Sequence, residues 1–436
     1  MMENPMGILG IPVSFLLALN ASVPMVAQES TGTRRADSSH AIVLRADRML
    51  DVESGRIIRN AVVVVEDALI RSVGPGDVPK DAQVVDLGDR TLLPGLIDMH
   101  THLSENLVGD WMHRPVEESA ADLALRGARN ARRTLLAGFT SVRDVGSRFF
   151  VDVSLMRAVE AGFIEGPWVF PAGHALSITG GPSDLTGYAP GIFELGPEEG
   201  VANGVDEVMK AVRCQVKHGA KLIKVMATAQ VLSSTGPSGA QHYSEEELRA
   251  IVEEARRQGV KVAAHAHGAE GIVAAIRAGV ASIEHGSMLN EEAIGLMKEQ
   301  GTYLVPTVYG WYLLDDLPPD MQKRVEHVRP FVETSIRAAI RAGVKIVFGT
   351  DAGSSPDHGQ NAGEFAAMVQ LGMSPLEAIR TATINAADLL GVQDRGVIAP
   401  GRLADLVAVP GNPLEDIHVL ENVQFVMQGG RVIKRP

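Results

Sequence analysis

Two histidines one residue apart, His100 and His102, close a short apolar run, Leu96-Ile97-Asp98-Met99. Pro94 and Gly95 punctuate its start. A run this short is predicted as a buried strand, because a helix would need more length. In a strand, residues i and i+2 point to one face. Two imidazoles on one face at a strand's end can hold one divalent metal, and imidazole suits zinc, iron, nickel and copper. A lone pair of this kind is more often surface or core histidine. Its meaning depends on what other strands bring to it.

Further along the chain, other apolar runs end in groups of the same chemistry. Lys221-Leu222-Ile223-Lys224-Val225-Met226 carries Lys224, and Val260–His265 ends at His265 with His267 just beyond. Ala281–His285 ends at His285, and Lys345–Asp351 ends at Asp351. Five of the 13 histidines thus cap predicted strands at one end. Four imidazoles and an aspartate exceed the three protein ligands and a water of a usual catalytic zinc. Two metals fit better, about 3.5–4 Å apart and sharing a hydroxide whose pKa they lower. Such a pair also needs an anionic bridge. A lysine ammonium has no lone pair, so Lys224 could serve only if modified; unmodified, it would be a buried or snorkelling lysine.

The elements between these groups alternate. Helical patterns over 118–137, 152–161, 204–218, 269–278, 290–300 and 320–342 separate strands at 140–145, 168–172, 221–226, 260–265, 281–285, 303–307 and 345–351. Ser244 with Glu247 three residues on predicts a capping box, and two more helices fill 362–390. With the first strand this makes eight βα units. Repeated units of this kind imply parallel strands with right-handed crossovers, and eight imply a closed barrel whose C-terminal strand ends share one mouth. An open doubly wound sheet is the competitor, but no Gly-x-Gly-x-x-Gly follows a strand and opens a helix.

Short strand patterns occupy 41–91, and matching ones recur at 405–409, 423–428 and 431–433. The expected architecture is α/β: a (β/α)8 TIM barrel over 92–400, with a small β-sandwich built from 41–91 and 401–436. Ahead of it, Ile8–Leu19 is apolar and small residues lead to Ala27. Residues 1–27 are predicted as a signal peptide, although Glu3 precedes the run and no Lys or Arg does; a cytoplasmic protein is the alternative. Residues 28–40 are predicted as a linker. The run is too short for an ordinary membrane span.

The chain has 436 residues, 45% hydrophobic and 21% charged, with a formal net charge of -13. That balance argues against nucleic acid or an anionic membrane as partner. The single cysteine, Cys214, excludes an intrachain disulfide and is assigned to packing.

His100-x-His102, Lys224, His265, His285 and Asp351 together resemble the amidohydrolase superfamily pattern. The resemblance spans residues 41–433 and includes LPGLIDMHTH, AHAHG at 264–268, IEHG at 283–286, GTDAG at 349–353 and the closing GRLADLV. It is nearest to the imidazolonepropionase-like and Xaa-Pro dipeptidase branch, which also holds ochratoxin-hydrolysing amidases. The resemblance implies two zinc ions bridged by N6-carboxylated Lys224 and by hydroxide. His100, His102 and Asp351 would hold one metal, and His265 and His285 the other. Asp351 would move the proton and His267 would contact substrate. It also implies a homo-oligomer, from dimer to octamer. Gly180-Gly181-Pro182-Ser183-Asp184 departs from the Gly-His-x-x-Asp often found there, which leaves substrate preference open. Tyr243 and His358 are further candidates for substrate contact; a packing role for Tyr243 on Leu248 and a loop-capping role for His358 are the alternatives.

The expected activity is hydrolysis of an amide that frees a C-terminal amino acid, from a dipeptide, an N-acyl amino acid or ochratoxin A. Ring opening of a cyclic amide or imidazolone with one metal is the alternative. A non-catalytic zinc-binding barrel is the reading from outside enzymology.

Overall fold

The computed structural model describes residues 41–75, 78–105, 114–231, 237–314, 319–354 and 356–436. The signal and linker assignments at 1–40 lie outside the described residues.

Seven barrel strands follow in order: Leu96–Thr101, Phe139–Asp144, Trp168–Pro171, Leu222–Met226, Lys261–Ala266, Ser282–His285 and Tyr303–Val305. The first three pair in parallel, and so do the last four. Leu176 joins the two sets: its N–H donates to the Lys224 carbonyl, and the Met226 N–H donates to its own. The eighth position is residues 345–352. It bonds to Leu304 on one side, and to Met99, His100 and His102 on the other. The ring of strands is therefore closed.

The eighth strand is thinner than the sequence predicts. Only isolated bridges form, at Ile346 and Ala352. Gly349 and Asp351 explain this. A Cβ on Gly349 would press on the His100 Cβ at 2.9 Å, so the backbones approach closely there. Asp351 takes a left-handed φ of 62°, which breaks a regular ladder.

Burial follows the pattern of the sequence. Every residue of Leu96–Thr101 is buried, as is every residue of Leu222–Met226, as expected for parallel strands covered on both faces. Each fully buried aliphatic side chain contributes about 1.5–3 kcal/mol, so such strands hold their ends in register. The helix Glu245–Arg257 opens on the Ser244–Glu247 capping box. Its apolar side buries Leu248, Ile251 and Ala255 in the main core.

The two ends of the chain share one small sheet. Leu406–Pro410 runs antiparallel to Arg90–Pro94, with Pro94 opposite Leu406. The strands Ala41–Asp51, Arg56–Glu66 and Leu69–Val73 extend it on one side, and Phe425–Gln428 and Arg431–Lys434 on the other. The expected sandwich is thus one hydrogen-bonded sheet, wrapped round a single core that includes Leu44, Val63, Leu92, Leu406 and Phe425. Among the described residues no helix is long and apolar enough to cross a membrane.

Candidate metal centre

The strand ends bring the predicted residues into two adjoining groups. One is His100, His102 and Asp351; the other is His265, His267 and His285. Within each group the offered ligand atoms lie within 4.8 Å of one another. The His100 and His285 rings adjoin at 5.0 Å between centroids, so the groups form one centre. Lys224 is 2% exposed, whereas Lys221, three residues earlier, is exposed. Of the two lysines, it is Lys224 that faces in. Its charge bears on His102, His265, His267 and His285 alike.

Each imidazole but one is turned by a partner at Nδ1. His100 Nδ1 lies 2.8 Å from Glu284 Oε2, and His102 Nδ1 lies 3.0 Å from the Gly146 carbonyl. His267 Nδ1 lies 2.7 Å from Ser287 Oγ, and His285 Nδ1 lies 2.8 Å from Thr307 Oγ1. Such partners fix a ring's orientation and, at His100, His102 and His285, leave Nε2 for a metal. His265 is the exception: its Nε2 is buried with no hydrogen-bond partner. A buried ring nitrogen without a partner costs free energy, and a metal ion would satisfy it. The donor set of imidazoles and one carboxylate suits zinc or a similar divalent ion. The residues therefore fit a metal centre.

Electrostatics agree with this. Burial would raise the Asp351 pKa, but hydrogen bonds and charge from His100 and His102 outweigh it and hold the carboxylate ionised. Its Oδ1 lies 3.3 Å from Nε2 of both histidines. Burial lowers the pKa of His265 and His285 well below the usual imidazole range, and neighbouring histidines add to the shift. Burial brings His267 down to about 3. These rings are neutral and able to ligate. Burial likewise lowers Lys224 to about 8, against the pull of Glu284 and Asp351.

Beneath the centre lies a buried polar network. Arg143 Nη2 donates to both oxygens of Glu284 at 2.7 and 2.8 Å, and Ser282 Oγ donates to Glu284 at 2.5 Å. Burial would raise Glu284, but Arg143 and the His100 hydrogen bond hold it far below the usual carboxylate range. Asp98 accepts from the N–H groups of His100 and Thr350, from the Thr350 hydroxyl and from Asn361, which locks the first barrel strand to the eighth. None of these supporting residues is singled out by motif spacing. The available signal was a charged residue inside an apolar strand, as in Ser282-Ile283-Glu284-His285.

The remaining candidates lie elsewhere. Tyr243 is wholly buried in the main core with Leu248, and its hydroxyl donates to the Ala202 carbonyl at 3.0 Å. Burial and this bond are those of a packing residue. His358 is buried behind His102. Its Nε2 lies 3.1 Å from the His102 carbonyl and its Nδ1 lies 3.0 Å from Thr134 Oγ1. Both ring nitrogens are engaged within the protein. In the ligand groups, the His102 and Asp351 side chains are 20% and 24% exposed, whereas His265, His267 and His285 are at most 6% exposed. Solvent reaches the centre from the His102–Asp351 side.

Three comparisons bear on this arrangement. The sequence profile of the Amidohydrolase family matches residues 91–433. The ochratoxinase of Aspergillus niger is 35% identical over 100% of this chain and 95% of its own length. A crystal structure of A. niger ochratoxinase superposes with a TM-score of 0.80 at 34% identity, covering 92% of this chain and 97% of that one. The crystal structure of a Xaa-Pro dipeptidase with methionine bound in its active site superposes with a TM-score of 0.86 at 38% identity, covering 90% of this chain and all of the other. Proteins of this family are hydrolases that act on small molecules and generally use metal ions. With the barrel closed, the polar strand ends gathered at its mouth and the profile running through both, the chain is a hydrolase and belongs to the amidohydrolase family.

Proposed function

We propose that this protein is a binuclear metal-dependent amidohydrolase that cleaves an amide bond and releases a C-terminal amino acid. The observation that carries this reading is the pair of adjoining ligand groups with Lys224 buried beside both. His100, His102 and Asp351 would hold one zinc, and His265 and His285 the other. Lys224, once carboxylated by CO2, would supply the anionic bridge. Carbamate formation needs the neutral amine, and burial, which lowers this amine to about 8, favours that form. When bound, the metals activate a water and polarise the substrate carbonyl.

The protein's own groups do the rest. Asp351, ionised and open to the mouth, accepts the proton of the attacking water and delivers it to the leaving amine. His267 is neutral. Its Nδ1 meets the Ser287 hydroxyl; in the tautomer in which that hydroxyl donates to Nδ1, Nε2 carries a hydrogen that would be donated to the developing oxyanion. The buried barrel strands carry these groups.

The relatives narrow the substrate class. One is named as an ochratoxinase and one as a Xaa-Pro dipeptidase; both names describe an amide or peptide bond to an amino acid. A dipeptide, an N-acyl amino acid or an ochratoxin A type amide is the proposed substrate. A homo-oligomer and export from the cytoplasm are part of the same proposal. The test is turnover of Xaa-Pro and Xaa-Phe dipeptides, N-acyl amino acids and ochratoxin A, with the freed amino acid identified. Release of a C-terminal amino acid from at least one substrate supports the reading, and hydrolysis of cyclic amides alone would overturn it.

A further inference from the structure

His285 is a ligand candidate held, with its hydrogen-bond partner, in strained backbone. It has a left-handed φ of 70°, and Thr307, whose hydroxyl meets its Nδ1, has a φ of 47°. Thr307 is β-branched, so this conformation is costly. Strain of that kind persists only where the surroundings enforce it.

The enforcing group lies on another element. Glu364 stands near the start of the helix Gly363–Gln370 and is fully buried. Its two carboxylate oxygens accept from the N–H groups of Val308 and Tyr309, at 2.9 and 2.6 Å. These are the two residues directly after Thr307. The helix can come this close because Gly363 has no Cβ; one there would collide with the Tyr309 ring. Asn361, three residues before Glu364, bonds to Asp98, which fixes the same helix start to the strand that carries His100.

We propose that Glu364 is a positioning residue for His285, acting through Thr307. Its carboxyl group clamps the backbone after Thr307 and so holds the threonine hydroxyl where it orients the His285 ring. The clamp presents one side of the centre, and Glu284 on His100 presents the other. This inference rests on the reading that His285 holds a metal.

The test compares Glu364→Gln, Thr307→Val and their double variant with the wild type and with His285→Ala. Each protein is stripped of metal and titrated with Zn2+ alone and with Co2+ alone, and its melting temperature is recorded. Tyr243→Phe serves as a control for a change in the core that touches none of the clamp's hydrogen bonds. Glu364→Gln and Thr307→Val are each expected to weaken Zn2+ binding about ten-fold, the scale of losing a group that orients a ligand. The affected metal should be the one that His285→Ala abolishes. Both variants should alter the visible spectrum of bound Co2+ in the same way. The double variant should bind no more weakly than the weaker single, because the two residues act in series. If Glu364→Gln lowers the melting temperature as Tyr243→Phe does but keeps Zn2+ affinity and the Co2+ spectrum, the clamp is overturned. Losses that multiply in the double variant also overturn it. A wild type that binds no metal overturns the proposed function and the clamp together; a wild type that binds metal as firmly as Glu364→Gln does overturns the clamp alone.

Discussion

The Glu284 carboxylate accepts the Nδ1 hydrogen of His100 at 2.8 Å, and both groups are buried. Arg143 grips the same carboxylate through two hydrogen bonds. A histidine held this way by an ionised carboxylate is a better metal donor and cannot rotate. Replacing Glu284 by Gln should weaken metal binding by roughly ten- to a hundred-fold, while leaving the protein folded. Glu284→Ala should do more, because it leaves the Arg143 charge buried and unpaired, at a cost of about 3–5 kcal/mol. Metal content and urea unfolding of the two variants check this. Unchanged metal affinity in Glu284→Gln would remove the clamp from the account.

Lys224→Ala should lose the bridge, and with it the more weakly held metal and nearly all turnover. A short carboxylate such as acetate or propionate can enter the space left by the side chain and supply the missing anion. Partial recovery of activity with added carboxylate, and not with chloride, is the expected outcome. Full activity in Lys224→Ala without any additive would contradict the bridging role.

Acidification should empty the centre unevenly. Burial would lower the pKa of His102, but Asp351 and Asp144 overcome it and raise it above the usual 6.5. Protons therefore compete earliest for His102 as pH falls. His265 and His285 lie well below that value, so protons compete there last. Metal per chain, followed from pH 7.5 to 5.5, should drop first at the His100, His102 and Asp351 side. In the metal-free protein the two sides act oppositely on stability. The raised His102 pKa stabilises fully below about 6.5 and loses its effect as pH rises through the folded value. The depressed His265 and His285 values stabilise fully above about 6.5 and lose their effect as pH falls. Simultaneous loss of both metals in one step would count against the assignment.

His267 offers a test of the oxyanion role. His267→Ala should lower kcat by roughly 10²–10³, the loss typical of an oxyanion donor, with metal content unchanged. Ser287→Ala should lower kcat less, by releasing the ring and its tautomer. A His267→Ala protein that loses a metal would instead make His267 a ligand of the second group.

Tyr243→Phe removes a hydroxyl that donates to the Ala202 carbonyl. The expected effect is a loss of about 1 kcal/mol of stability, with kcat and KM as in the wild type. A raised KM would restore Tyr243 to the substrate site.

The barrel and the gathering of polar residues at its mouth were legible for one physical reason. Buried parallel strands are continuous apolar runs, so the few polar residues at their ends stand out. His100, His102, His265, His285 and Asp351 meet in the structure at the ends from which they were predicted. Lys224 is buried and Lys221 exposed, as positions three apart on a strand face opposite ways. The supporting residues were not legible. Glu284, Arg143 and Glu364 lie on elements far apart in the chain, and no local spacing links a carboxylate at 364 to an amide at 308. The eighth strand was predicted too regular, because neither the close approach at Gly349 nor the left-handed Asp351 leaves a mark on hydropathy.

The most direct test of the central claim is metal content measured alongside turnover on the amide panel. About two zinc ions per chain, with release of a C-terminal amino acid that fails in Lys224→Ala, is the result predicted here. One zinc per chain with Lys224→Ala still active would contradict the two-metal centre and favour a mononuclear ring-opening enzyme.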